Sequence, residues 1–176
     1  MSNKYELTQE TIKVDGRTLY RIRALRNLEA VKAGELGGFI ESEDNLSNAC
    51  NCWVFGNAQV FETARISGNA RISENAQVSG NAYVHGTSKI FGNAKISGDA
   101  NIFANAQVSG NAYIDGDVHI SHNAQVSGNA YVCGNIYFGK VKLDQGIWNR
   151  VIKINKDLYL VSTTLKRVLV GESTNG

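Results

Sequence analysis

Proline is missing from the chain altogether. Its absence suits a backbone whose amides almost all sit in sheet ladders, to which proline cannot donate. Cysteine is scarce: Cys50, Cys52 and Cys133 only. An odd count without framework spacing fits a reduced, cytoplasmic protein better than a disulfide scaffold. Cys50 and Cys52 have one residue between them, which is not zinc-site spacing. No apolar run approaches the length of a membrane span. The opening "MSNKYELTQETIK" is polar and lacks the pattern of a secretory signal, so neither export nor membrane attachment is expected. Charge of one sign is also lacking, for the formal net charge is only +2. A general attraction to nucleic acid or membrane is therefore not expected.

What charge exists is unevenly spread. Residues 1–45 carry 7 basic and 8 acidic groups, residues 46–138 carry 4 and 5, and residues 139–176 carry 7 and 3. The middle is nearly uncharged, and it is also where the sequence repeats itself. From Val54 to Val132 an aliphatic residue recurs every six positions, fourteen times without a slip. Two residues ahead of each next aliphatic stands Ala, replaced only by Ser88, Val118 and Ile136. Asn, Asp or Thr precedes that position in every tile, and Gly precedes it in ten of the fourteen.

Within "N-A-x-V" the Ala and the aliphatic residue point one way on a short strand and x points the other. Gly and Asn then turn the corner, since both tolerate positive φ. A six-residue period with this alternation predicts an all-β hexapeptide solenoid, three tiles to an 18-residue coil. Fourteen tiles make roughly four and two-thirds coils, a prism on the order of 20 Å long. The register predicts outward columns of like residues: Gln59 with Gln77, Gln107 with Gln125, Tyr113 with Tyr131. Such ladders are favourable on parallel in-register strands.

The ends of a solenoid need covers. "TIKVDGRTLYRIRAL" predicts a hairpin turning at Asp15-Gly16, within an N-terminal cap spanning 1–45. The repeats occupy 46–138, after a two-residue slip of frame around Cys50-Asn51-Cys52 that puts Cys52 in a small inward position. At the far end Ile136 and Phe138 bring bulk into the interior. Residues 139–176 read as a β cap, with a turn at Asn155-Lys156-Asp157 and a disordered "GESTNG" tail.

Chemistry is harder to find. His85, His119 and His122 lie near one face, but the first is two coils, roughly 10 Å, from the other two, so they do not form one metal set. An acyltransferase would need a base histidine and a loop thrown out to form a pocket, and uninterrupted tiles leave no such loop. The glycines recur as turn residues and form no phosphate loop. Two basic groups remain as polyanion candidates: Arg17, Arg21, Arg23 and Arg26, and the tail with Lys140, Lys142, Lys153, Lys156, Lys166 and Arg167. Glu6, Glu10 and Glu29 counter the first, which reads as a solvated strand face. No catalytic residue, metal or cofactor is assigned. The outward aromatics Trp53, Phe55, Phe61, Tyr83, Phe91, Phe103, Tyr113, Tyr131 and Tyr137 point instead to binding. The candidate partner-binding set is Tyr83, Phe91, Phe103, Tyr113, Tyr131 and Tyr137, with Arg21 and Arg23.

The tiles resemble the left-handed parallel β-helix proteins, and the left hand is implied by that resemblance alone. The string "DGRTLYRIRALRNLEAVKAGELGGFIESEDNLS", followed by "GNA-x-V" tiles, resembles bacteriophage and prophage hexapeptide-repeat proteins of the YdcK-like, polymer-forming kind. The resemblance implies a non-catalytic cytoplasmic protein whose rigid faces bind a host protein or pair it as a homodimer or homotrimer. An antagonist of a bacterial defence system such as CRISPR–Cas is the specific expectation. An acyltransferase-like enzyme and a self-assembling structural protein are the alternatives.

Overall fold

The computed structural model describes residues 3–139, 142–154 and 157–162. The tail "GESTNG", Lys140, Lys166, Arg167 and the first two residues of the expected Asn155-Lys156-Asp157 turn lie outside these. Strand β1 (Tyr5–Val14) and strand β2 (Arg17–Ala24) form an antiparallel hairpin. Its turn has Asp15 at φ 48° and Gly16 at φ 79°, two positive values as a two-residue type I′ hairpin requires. Strand β3 (Leu36–Ile40) pairs antiparallel with β2 and parallel with the tile strand Gln59–Val60, so it joins the cap to the stack.

From there the chain is a parallel β-solenoid of three sheets. The first has ten strands, running from β1 through the tile strands to the final pair Ile147–Ile154 and Asp157–Ser162; the second has six and the third five. From Trp53 to His119 each tile strand pairs with the one 18 residues on, as Gln77 with Lys95 and Lys95 with Tyr113. The two-residue slip is present: Phe39 pairs with Gln59 and Leu46 with Ile66, whereas Trp53 pairs with Arg71. Stacking also continues past the last regular tile, with Lys142–Leu143 on Gln125–Val126 and Ile147 on Tyr131. The stack therefore exceeds the fourteen strict tiles at both ends.

The inward positions are as the alternation requires. Every tile Ala and every tile aliphatic residue is buried in one continuous core. Ser88, in an Ala slot, is buried too, and its hydroxyl donates to the His85 carbonyl at 2.7 Å. Ile136 is buried where bulk replaces Ala; the side chain of Phe138 lies outside the description. The amide columns form as well. Gln77 Nε2 donates to Gln59 Oε1 at 2.9 Å. At one corner Asn93 donates to Asn111 and Asn111 to Asn129, both at 3.1 Å.

Two expected outward aromatics are not outward. Trp53 is 1% exposed and Phe61 6% exposed. Trp53 lies beneath the cap, edge-on to buried Tyr5 with ring centroids 6.3 Å apart. Phe61 packs with Leu19 and Phe39 in a second apolar cluster, outside the prism and next to Ile12 and Val14 of the hairpin. The repeat alone assigns both residues to solvent. The non-repeated hairpin covers them, because a solenoid end exposes more apolar surface than a solvated face tolerates.

Candidate functional site: the outward ring columns

Parallel register fixes where outward side chains lie. On the first sheet Tyr113 pairs with Tyr131, and their rings stack with centroids 5.0 Å apart and planes 2° from parallel. Below them the same column carries Lys95, Gln77 and Gln59. Tyr131 is 39% exposed. Partial burial, then the neighbouring Cys133, Tyr113 and Asp115, hold its phenol above the usual range. It therefore stays a neutral donor across physiological pH.

The third sheet carries a second set of rings. His85 is sandwiched between Tyr83, at 4.3 Å between centroids, and Phe103, at 5.3 Å. Further along, His119 stacks on Tyr137 at 4.2 Å. Tyr137, at 52%, is the most exposed tile aromatic among the described residues. The histidines are thus members of ring columns, anchored by polar contacts: His85 Nε2 to Asn101 Oδ1 at 3.1 Å and His119 Nε2 to Asp117 Oδ1 at 3.0 Å. The six-residue reading places these residues on one face but does not reveal their part in the stacks. The signal was available, since His85 is 18 residues before Phe103 and His119 is 18 before Tyr137. Phe91 stands apart, half-buried just after the second-sheet strand Lys89–Ile90.

The two arginines are placed differently from the rings. Arg21 is folded onto its own chain: it donates to the Gly37 carbonyl at 2.8 Å, pairs with Glu10 at 2.8 Å, and holds its guanidinium 4.2 Å from the Phe39 ring centroid. Arg23 is more exposed and pairs with Glu6. Arg17 bridges Glu41 and Glu62 at 3.0 and 3.3 Å. The carboxylates opposite these arginines bind the cap to itself and to the first coils.

A polar cluster beneath the cap has no counterpart in the sequence reading. Lys4 is fully buried, and its ammonium donates to the Cys52 carbonyl at 2.8 Å and the Cys50 carbonyl at 3.0 Å, with Cys52 Sγ at 3.3 Å. Burial pulls the Lys4 pKa down against the opposing effect of the Cys52 thiol, and pushes the Cys52 thiol up. Among the described residues no three His, Cys, Asp or Glu side chains converge as a metal set. No helix among them is long and apolar enough to cross a membrane.

The family model for the YdcK β-solenoid repeat matches residues 64–80, one residue short of a full coil. Repeat and fold together fit a YdcK-like hexapeptide-repeat β-helix. The match lies in the tiles and does not reach the N-terminal string. No curated protein matches the chain.

Proposed function

With a YdcK-like β-solenoid as the premise, we propose that the protein is a non-catalytic scaffold that binds a host protein through the Tyr113/Tyr131 column. One observation carries this reading: two parallel phenol rings in van der Waals stacking stand on a rigid sheet face, with the outer one open to solvent. Rigid aromatics lose little conformational entropy on binding and are enriched among interface anchors. Their position on in-register strands preorganises the pair before any partner arrives. The proposed setting is a phage or prophage gene acting in the bacterial cytoplasm. The proposed partner class is a component of a host defence system such as CRISPR–Cas, and the proposed self-association is a homodimer or homotrimer joined through a face.

The test is affinity capture from lysate of a bacterial host, comparing wild type with the Tyr113→Ala/Tyr131→Ala variant. A single stoichiometric protein is expected, lost from the folded variant, with each ring contributing about 2 kcal/mol as an anchor. Recovery of the chain alone, or of the same protein with both forms, sinks the reading.

A second reading, end-to-end assembly, has its own observation. The ten-stranded sheet ends at β1 and at Asp157–Ser162, each paired on one side only among the described residues. Open edges of this kind accept further strands. Size measured at two concentrations separates the readings, since filaments grow with concentration and a fixed oligomer does not.

A further inference from the structure

The ring column on the third sheet stops one strand short of the sheet's N-terminal edge, which is the strand Arg65–Ile66. Phe103, His85 and Tyr83 stack in that order, and no further ring stacks on Tyr83 among the described residues. The coil below has Arg65 in register with Tyr83, and the small Ser67 stands 18 residues before His85. Where a fourth ring would lie there is a cleft of about 590 Å³, bordered by Tyr83, Arg65, Ser67, Ser47 and Asp44.

Its walls are held in place. Ser67 Oγ and the Tyr83 hydroxyl are 2.8 Å apart, which pins the phenol over the opening. Asp44 belongs to the short turn Glu43–Asn45, and buried Asn45 anchors that turn. Its side chain accepts from the Glu41 and Ser42 amides at 3.1 and 2.9 Å and donates to the Glu62 and Ala64 carbonyls at 3.0 and 2.9 Å. Neither Asp44 nor Arg65 makes an ion pair among the described residues. Both are therefore free to meet a ligand.

We propose that this cleft binds a neutral pyranose, one sugar unit of a glycan, with its C–H face on the Tyr83 ring and its hydroxyls on Asp44 and Arg65. Charge balance argues against an anion, since one carboxylate and one guanidinium cancel. A protein aromatic side chain would continue the stack, but it would desolvate Asp44 and Arg65 without partnering either. A sugar hydroxyl is both donor and acceptor, so a single kind of group satisfies the acceptor-only carboxylate and the donor-only guanidinium. One apolar face and a hydroxylated rim match one ring and a polar wall. Ser47, Thr63, Ser67 and Asn81 also line the cleft, so its wall around the one ring is mostly polar, and its volume is of ligand-binding size.

This site lies on a different face from the Tyr113/Tyr131 column, so the two proposals fail independently. The test titrates the full chain with a panel of neutral methyl pyranosides, followed by amide chemical shifts. Saturable binding of at least one sugar in the millimolar range is expected, with shifts centred on Ser67 and Tyr83. Tyr83→Ala should weaken it by about tenfold or more, the equivalent of roughly 1.4 kcal/mol. Asp44→Asn, which keeps the shape of the wall, should weaken it as well. Tyr113→Ala/Tyr131→Ala should leave it unchanged. Unsaturated shifts with every sugar would overturn the proposal. So would undiminished, wild-type affinity in the Tyr83→Ala and Asp44→Asn variants, or binding of inorganic phosphate in place of the sugars.

Discussion

Corner residues set how tightly coils can stack, and four of them break the glycine rule. Glu62, Glu74, Ala104 and His122 occupy corner positions with φ between 55° and 62°, where a side chain costs about 1–2 kcal/mol. At Gly80, φ is +66°, and an added Cβ would stand 2.7 Å from Gly98 N and 2.8 Å from Gly98 O. Strain and clash act together there. Gly80→Ala should lower stability by about 2 kcal/mol or more. Ala104→Gly relieves the strain but adds the entropy of an unfolded glycine, about 0.5–1 kcal/mol. The net effect should be a small gain, up to about 1 kcal/mol. Thermal midpoints of the two variants should therefore move in opposite directions, and the same sign for both would refute this account of the corners.

The cap is an element whose stability depends on keeping protons in place. Tyr5 is buried and its hydroxyl lies 3.0 Å from the Leu46 carbonyl oxygen and 3.1 Å from that of Glu43. Burial raises its phenol pKa, and burial raises the Cys52 thiol as well. The folded state holds both protons more tightly than the unfolded chain does. Their stabilisation is thus complete at neutral pH and is lost as pH climbs past the ordinary thiol range, about 8.5, and phenol range, about 10. Lys4, lowered by burial, works the other way between its folded value and about 10.4. Urea unfolding followed by Trp53 fluorescence should show the cap weakening above about pH 9. Tyr5→Phe should be less stable at pH 7 yet flatter above pH 10; an unchanged slope would remove Tyr5 from the cause. In Lys4→Met the alkaline fall should be steeper.

Across the whole molecule, stability is a sum over stacked coils and their interfaces. Each coil contributes three short strands, and each strand pairs only with the coils above and below. Removing residues 89–106 takes out one coil and returns every later residue to its own column. That variant should fold with the same β-sheet circular dichroism and a lower melting midpoint. Removing only residues 89–91 shifts the alternation by an odd number, which turns aliphatic side chains to solvent at the junction. It should lose cooperative unfolding. A melt as sharp as that of the coil deletion would show that the six-residue phase is not what specifies the stack.

The sequence by itself determined the repeated part. The inward Ala and aliphatic rows, the columns of Gln59 with Gln77 and Tyr113 with Tyr131, and the slip before Val54 follow from one six-residue period, because identical tiles meet identical neighbours. Tertiary structure decided everything that touches the unrepeated ends. Lys4 finds Cys52 across 48 positions, and Phe61 finds Leu19 of the hairpin. Arg21 turns inward to Phe39, and Asp44 comes to stand by Arg65 and Tyr83. No local pattern encodes such pairings. They arise where the hairpin folds over the first coils, so burial there depends on which segment covers which, and not on a residue's place in a tile.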